Sequence, residues 1–176
     1  MDGFLAVITS GILVEVRKVE PATFEGDGLV VPTNSYGLMS EGVAEKVRLA
    51  AGEDVQIEAS RSAPIAVGAA VVTGGGKLGV SYLIHVPVVE HPGMRIGIEN
   101  VRRATRASLL AADHYQMEQI GIPGIGYGEN GIPYDETARA ILDEIRAFRG
   151  DNPKAVVLLD TDPTMISSFR QMTDDK

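Results

Sequence analysis

Apolar runs alternate with amphipathic stretches along nearly the whole chain. Short apolar or alternating runs predict strands at residues 4–9, 12–19, 29–31, 69–73, 82–89 and 155–159. Apolar residues at helical spacing predict helices at residues 43–50, 98–112, 134–148 and 163–172. Asp162 and Pro163 have the residue types of an N-cap and a first helical position. Strands that alternate with helices predict a three-layer α/β domain.

Two of the predicted strands differ in their polarity. In residues 12–19 valines alternate with charged residues, a pattern typical of a half-exposed antiparallel edge strand. Residues 29–31 are Leu-Val-Val without polar alternation, which predicts a central strand buried on both faces. This strand is predicted to end at Pro32. Asn34 therefore follows a carboxyl strand end, where ligands bind in open α/β sheets.

The length and composition favour a single globular domain. For 176 residues we expect one domain at residues 1–172, followed by a polar tail at 173–176. The absence of cysteine excludes a disulfide scaffold, a thiolate nucleophile and cysteine-bound zinc. The start lacks a basic signal segment, and no apolar run approaches the ~20 residues that span a bilayer. We therefore expect a cytoplasmic protein without a membrane partner.

The charge balance limits the class of partner. The formal net charge is −8, the pI is about 4.9, and no block of lysine or arginine forms a basic stripe. Nucleic acid is therefore disfavoured as the main partner. The histidines, His85, His91 and His114, show no metal-ligand spacing, so no metal site is predicted, and His85 in its apolar strand is typical of a hydrogen-bonded core residue. A small anion remains compatible with this chain, because backbone amides can bind one phosphate group locally.

The segment at residues 122–133, Ile-Pro-Gly-Ile-Gly-Tyr-Gly-Glu-Asn-Gly-Ile-Pro, is the richest in glycine. Glycine permits positive φ and a close approach of the backbone to a ligand, and successive amides in such a loop form an anion-binding concavity. The loop also precedes a predicted helix, whose first amides are free to bind an anion. The alternative is an ordinary connection between a strand and a helix, in which the glycines only make turns.

The order of four motifs resembles the macro domain family. The motifs are Asn34-Ser35 after the strand at 29–31, Gly42-Val43-Ala44 at a helix start, Thr73-Gly74-Gly75 before Leu83-Ile84-His85, and the loop at 122–133. The resemblance covers about residues 14–169. It implies an α/β/α sandwich around a mixed, mostly parallel sheet that binds ADP-ribose or a related nucleotide. Some members of the family hydrolyse ADP-ribose derivatives, such as ADP-ribosylated proteins or ADP-ribose-1″-phosphate.

The resemblance also implies roles for individual residues. Asn34 matches the residue beside the distal ribose and is the one catalytic candidate, because it can orient that ribose for attack by water. Glu20 falls where the family accepts a hydrogen bond from adenine. The ligand-binding residues that the resemblance implies are Glu20, Asn34, Gly42, Val43, Ala44, Gly124, Ile125, Gly126, Tyr127, Gly128, Glu129 and Asn130. A small nucleotide is the implied partner, with no cofactor and no metal.

The chain departs from the family pattern in three places. The diphosphate-binding segment that is usually triple glycine in the family reads Ser40-Glu41-Gly42 here. A Glu41 carboxylate near a diphosphate repels it unless the side chain turns away. Ala44 stands where some hydrolytic branches have an aspartate. Asp160 and Thr161 lie near the usual position of an aromatic ring against adenine, so base stacking is expected to be missing. Tyr127 is an alternative cover for the distal ribose.

Three functions stay open from the sequence. The protein is a hydrolase of an ADP-ribose derivative, a nucleotide-binding module without turnover, or a scaffold that has lost ADP-ribose binding. Asn34 also has a purely structural interpretation as the residue that caps the turn after its strand. The exact ligand and the oligomeric state are left open by the sequence.

Overall fold

The computed structural model describes the backbone of residues 4–128 and 131–174. Seven strands form one sheet in the order β1-β2-β7-β6-β3-β5-β4. The two outer pairs, β1 with β2 and β4 with β5, are antiparallel, and all inner pairs are parallel. The strands are β1 (Phe4–Thr9), β2 (Ile12–Lys18), β3 (Gly26–Asn34), β4 (Val71–Gly74), β5 (Val80–Val89), β6 (Gln119–Pro123) and β7 (Ala155–Asp160).

Helices cover both faces of the sheet. They are α1 (Gly42–Ala51), α2 (Asp54–Ser60), α3 (Ile98–His114), α4 (Tyr134–Ala147) and α5 (Pro163–Asp174), with one short 3₁₀ turn at Pro21–Thr23. Buried residues of α1 and α2 form one core with one face of the sheet, and those of α3, α4 and α5 form a second core with the other face. The predicted three-layer α/β/α sandwich around a mixed, mostly parallel sheet is therefore confirmed.

Strand β3 shows why the central strands lack polar alternation. Leu29 and Val31 contribute to the core under α1, whereas Val30 contributes to the core under α3. All three side chains are fully buried. Because successive side chains point to opposite faces of a sheet, a strand covered by helices on both sides needs apolar residues at every position.

Several predicted boundaries are corrected by the structure. Residues 12–19 were expected to form an edge strand, but β2 lies between β1 and β7, and β1 occupies the edge. Strand β3 continues through Pro32 to Asn34, and α2 was not predicted. The expected polar tail begins inside α5, because that helix runs to Asp174 and Thr173 is buried.

The connections of β3 and β6 create a crevice at their carboxyl ends. The chain leaves β3 through α1 and α2 on one face of the sheet, and it leaves β6 through α4 on the other. The ladder between β3 and β6 pairs only Gly28 and Leu29 of β3 in the described chain, so the two strands separate beyond that point. Such a topological switch point is where open α/β sheets bind ligands.

Within the described residues, none of the helices is both long enough and apolar enough to cross a membrane.

Candidate functional site

A cavity of about 560 Å³ occupies the crevice between the carboxyl ends of β3 and β6. Its wall consists of Glu20, Pro21, Pro32, Thr33, Asn34, Leu38, Glu41, Gly42, Val43, Ala44, Lys46, Val88, Val89, Gly93, Met94, Ile96, Gly124, Ile125, Gly126, Tyr127, Asp160 and Thr161. Nine of the twelve predicted binding residues belong to this wall. Gly128 does not line the cavity, and Glu129 and Asn130 lie outside the described residues.

The first turn of α1 faces the cavity with free backbone amides. Gly42, Val43 and Ala44 are the first three residues of the helix, and all of them line the cavity. The first amides of an α-helix have no intrahelical acceptor and lie at the positive end of the helix dipole. Gly42 has a φ of +60°, which favours glycine at this entry to the helix. This helix end can bind an anion.

The loop after β6 forms the opposite wall. Gly126 has a φ of +73°, and its carbonyl accepts a hydrogen bond of 2.8 Å from the amide of Ile132. The carbonyl of Ile125 accepts one of 2.6 Å from the Thr137 hydroxyl on α4. Both carbonyl oxygens thus accept hydrogen bonds from other groups of the protein. The backbone of this loop is therefore held in place beside the cavity.

Asn34 lies at the cavity wall, but its side chain is engaged in the loop that it begins. Its Oδ1 accepts hydrogen bonds from the amides of Tyr36 (3.0 Å) and Leu38 (3.3 Å), and its Nδ2 donates to the Leu38 carbonyl (2.9 Å). The residue is only 2% exposed. The structure therefore gives Asn34 the turn-forming contacts of the structural interpretation, and it leaves one Nδ2 proton uncommitted.

We expect Asn34→Ala to lower the free energy of unfolding by about 1–3 kcal/mol, because it leaves the Tyr36 and Leu38 amides without their acceptor. Urea denaturation of the variant and the wild type measures this loss. Asn100→Ala is the matched control, because it removes one side-chain bond, from Asn100 Nδ2 to the Val88 carbonyl (2.9 Å). An equal or smaller loss for Asn34→Ala would contradict a turn-holding role.

Glu41 turns away from the amides of α1. It is the N-cap residue of that helix, yet its side chain makes no capping bond to the described amides. Its Oε1 instead accepts a hydrogen bond of 3.1 Å from the amide of Gly93, in the loop between β5 and α3. The structure thus directs this carboxylate to the loop between β5 and α3 and not to the first amides of the helix.

Two tyrosine–aspartate pairs lie at the carboxyl end of β7, and the members of one pair, Tyr127 and Asp160, line the cavity. The Tyr127 hydroxyl donates to Asp160 Oδ1 (2.8 Å), and the Tyr134 hydroxyl donates to Asp162 Oδ2 (2.9 Å). The two tyrosine rings lie 5.0 Å apart. Burial, followed by the bond to Asp160, raises the pKa of Tyr127 above its usual range. Tyr127 therefore stays neutral, with its hydroxyl bound at the end of the cavity that holds Asp160.

Asp160 is a buried carboxylate, and one of its two oxygens accepts three hydrogen bonds. Oδ1 accepts from the Tyr127 hydroxyl and from the amides of Thr161 (2.8 Å) and Asp162 (2.9 Å). Oδ2 has no hydrogen-bond partner among residues 4–128 and 131–174. Gly124 packs against it so closely that a Cβ there would lie 2.7 Å from Oδ2. Asp160 thus fixes Tyr127 and the end of β7.

The sequence missed several lining residues. Lys46 lies one turn after Gly42 on α1, so helical spacing from Gly42 could have identified it as a lining residue. Its Nζ is 4.0 Å from Glu20 Oε1, and both side chains are exposed. Gly93, Met94 and Ile96 come from a loop without a recognisable motif. Among the described residues there is no cluster of three metal-ligating side chains.

Comparisons with known proteins agree with this fold. The family model described as Macro domain matches residues 30–141. A protein of Aquifex aeolicus is 40% identical over 159 residues, which cover 90% of this chain and 96% of that protein. The Oceanobacillus iheyensis macrodomain with MES bound has a TM-score of 0.83 at 18% identity and covers 97% of this chain and 94% of that chain. The Trypanosoma brucei macrodomain in complex with ADP-ribose has a TM-score of 0.81 at 21% identity, with 95% and 73% covered. The chain belongs to the macro domain family.

Proposed function

We propose that this protein binds ADP-ribose in the cavity between β3 and β6. The observation that carries the proposal is the pairing of two backbone-lined walls across one cavity. The first turn of α1, at Gly42–Ala44, lies on one side, and the loop at 124–127 lies on the other. A diphosphate between them receives hydrogen bonds from backbone amides on both sides.

The size and lining of the cavity fit a nucleotide of this kind. A volume of about 560 Å³ lies within the range of roughly 300–1,000 Å³ that is common for small-molecule sites. Among the described lining residues, Lys46 is the only lysine or arginine, so recognition of the diphosphate rests on amides. This arrangement explains how a chain with a net charge of −8 can hold an anionic ligand.

The two sides of the cavity differ in chemistry. Glu20 follows β2, and Asp160 and Thr161 lie at the end of β7, on one side of β6 in the sheet, whereas Leu38 follows β3 and Met94 follows β5 on the other side. In the proposed complex adenine lies at the polar side, where the exposed Glu20 carboxylate accepts a hydrogen bond from the adenine amino group. The distal ribose lies beside Asn34, towards the side with Leu38 and Met94.

Binding without turnover is better supported than hydrolysis. Five titratable side chains of the described residues line the cavity, namely Glu20, Glu41, Lys46, Tyr127 and Asp160. Each already interacts with another group of the protein. Hydrolysis of an ADP-ribose derivative is the second candidate, and the uncommitted Nδ2 proton of Asn34 favours it. In that reaction Asn34 orients the distal ribose and a phosphate of the substrate serves as the base.

The test is isothermal titration calorimetry with ADP-ribose, with AMP and ATP as controls. We expect a dissociation constant of about 1 μM or tighter for ADP-ribose, equivalent to about −8 kcal/mol, and weaker binding of both controls. The absence of heat at several temperatures, together with no thermal shift, would contradict the proposal. Phosphate release from ADP-ribose-1″-phosphate by the same preparation distinguishes a hydrolase from a binding module.

A further inference from the structure

Two loops that line the cavity are joined by a hydrogen bond. The first loop, residues 35–41, joins β3 to α1, and the second loop, residues 90–97, joins β5 to α3. The amide of Gly93 in the second loop donates a 3.1 Å hydrogen bond to Oε1 of Glu41 in the first. Glu41 and Gly93 both line the cavity. Their bond therefore joins two parts of the cavity wall, and we refer to it as the Glu41–Gly93 bridge.

Other contacts hold the same two loops together. The rings of Tyr36 and His91 lie 5.5 Å apart between centroids. The amide of Ser35 donates to the carbonyls of Val89 (3.1 Å) and Glu90 (3.3 Å) at the end of β5. These contacts fix the bases of the loops, so the Glu41–Gly93 bridge is positioned by the fold around it.

The bridge lies on the side of the cavity away from Asp160, because Asp160 ends β7, the second loop follows β5, and β6 and β3 lie between these two strands in the sheet. Leu38 and Met94 line the cavity on this side and are 40% and 49% exposed, which marks them as the rim of an opening. Glu41 precedes the free amides of α1 directly, so a ligand that extends from those amides towards this side passes next to its carboxylate.

We propose that the Glu41–Gly93 bridge makes this site selective for a free ADP-ribose-type nucleotide over the same group attached through its distal ribose to a protein. This inference rests on the proposed function. A free nucleotide ends beneath the bridge and leaves it intact. A nucleotide attached to a polypeptide must pass through the opening at Leu38 and Met94, and its attachment displaces the Gly93 amide from Glu41.

The charge of Glu41 has a separate effect on affinity. A carboxylate at the start of α1 repels the diphosphate of any ligand, whether free or attached. Its bond to Gly93 holds it in a fixed direction, and salt screens the repulsion because the side chain is exposed. Bridge and charge can therefore be separated, because glutamine retains the acceptor oxygen for Gly93 and loses the charge.

The experiment compares free ADP-ribose with a peptide that carries a single ADP-ribose, by competition for the same labelled ligand. For the wild type we expect a preference of about tenfold or more for the free nucleotide, equivalent to the loss of one hydrogen bond. Glu41→Gly breaks the bridge and should reduce the preference to about twofold or less. Glycine is tolerated at an N-cap, so α1 is expected to stay folded.

Glu41→Gln keeps the bridge and should keep the preference. It should also bind both ligands about three- to fivefold more tightly than the wild type at low ionic strength, and this gain should disappear at high salt. Glu45→Gln is the matched control, because Glu45 is exposed in the same helical turn, lies outside the cavity wall and takes no part in the bridge. It should leave the preference unchanged.

The possible failures are distinguishable. If the wild type binds neither ligand, the proposed function is wrong. If it binds ADP-ribose and the modified peptide equally well, the function stands and the selectivity is refuted. If Glu41→Gly retains the full preference, or Glu41→Gln loses it, the bridge is not the cause of the selectivity.

Discussion

Gly126→Glu is expected to weaken ADP-ribose binding at least about 100-fold, equivalent to about 2.7 kcal/mol or more. Gly126 lines the cavity opposite α1, in the loop that we propose to contact the diphosphate. A side chain at this position occupies space next to the ligand, and its carboxylate repels the phosphates at short range. Titration calorimetry of the purified variant with ADP-ribose measures the loss.

The structure also defines the cost of this substitution to the fold. The φ of Gly126 is +73°, so any other residue is strained by roughly 1–2 kcal/mol. A Cβ would lie 3.0 Å from Cδ1 of Ile132 and 3.1 Å from Cγ2 of Ile96. Both contacts involve side-chain carbons that can shift slightly. We therefore expect a lower melting temperature, with the domain still folded at room temperature.

Two further variants separate these effects. Gly126→Ala introduces the strain without the charge and should retain most of the affinity. Gly11→Glu is the matched control, because Gly11 has a φ of +78° in the turn between β1 and β2 and no described atom within 4 Å of an added Cβ. It should bind ADP-ribose like the wild type. Normal affinity in a folded Gly126→Glu protein would place the ligand elsewhere.

The sequence predicted the layers of the fold because the burial of a strand or helix determines which of its consecutive residues are apolar. The unbroken apolar run at Leu29–Val31 could come only from an element covered on both faces, and β3 is such a strand. The short helix α2 has no comparable apolar pattern, because only Val55 and Ala59 are buried among its seven residues. One apolar pair at i and i+4 is too little for a periodic pattern.

The neighbours of a strand are harder to predict than its faces. Alternation in β2 correctly indicated one buried face, with Val14 and Val16 fully buried and Glu15 paired with Arg17 at 2.7 Å. It did not reveal that β1 lies outside β2, because the hydrogen-bonding edges of a strand are backbone groups that no side-chain pattern encodes.

The same distinction applies to the candidate site. Its glycine loops were visible because positive φ selects particular residue types, as at Gly42 and Gly126. The hydrogen bonds that orient the side chains of the cavity join residues far apart in sequence. Glu41 meets Gly93 across 52 positions, and Tyr127 meets Asp160 across 33. No local pattern reports such pairs, so only the folded chain shows where the Glu41 carboxylate points.

His85 should make the stability of this protein depend on pH between 6.5 and about 4. The side chain is completely buried in β5, and burial lowers its pKa from 6.5 to about 4. Its Nε2 lies 2.8 Å from the Thr73 hydroxyl, which itself donates to the Gly74 carbonyl (3.0 Å). This chain of bonds fits a neutral imidazole that donates from Nε2. Nδ1 is then an unprotonated acceptor, and it has no partner among the described residues.

The direction of the effect follows from proton binding in the two states. Between pH 6.5 and 4 the unfolded chain binds a proton at His85 and the folded chain does not, so acid favours the unfolded state. The contribution is fully present above pH 6.5 and is lost as the pH falls. A pKa that is lowered from 6.5 to about 4 corresponds to about 3 kcal/mol at the acid end of this window.

Comparison with His85→Gln isolates this contribution, because glutamine can place its Nε2 near Thr73 and does not titrate. Urea denaturation of both proteins at a series of pH values between 4 and 7 gives the two free energies of unfolding. Other titrating groups are common to both proteins and cancel in the difference. We expect the wild type to lose about 3 kcal/mol more than His85→Gln between pH 7 and pH 4. Parallel curves would show that His85 takes up its proton in the folded protein, which a fully buried imidazole without an anionic partner should resist.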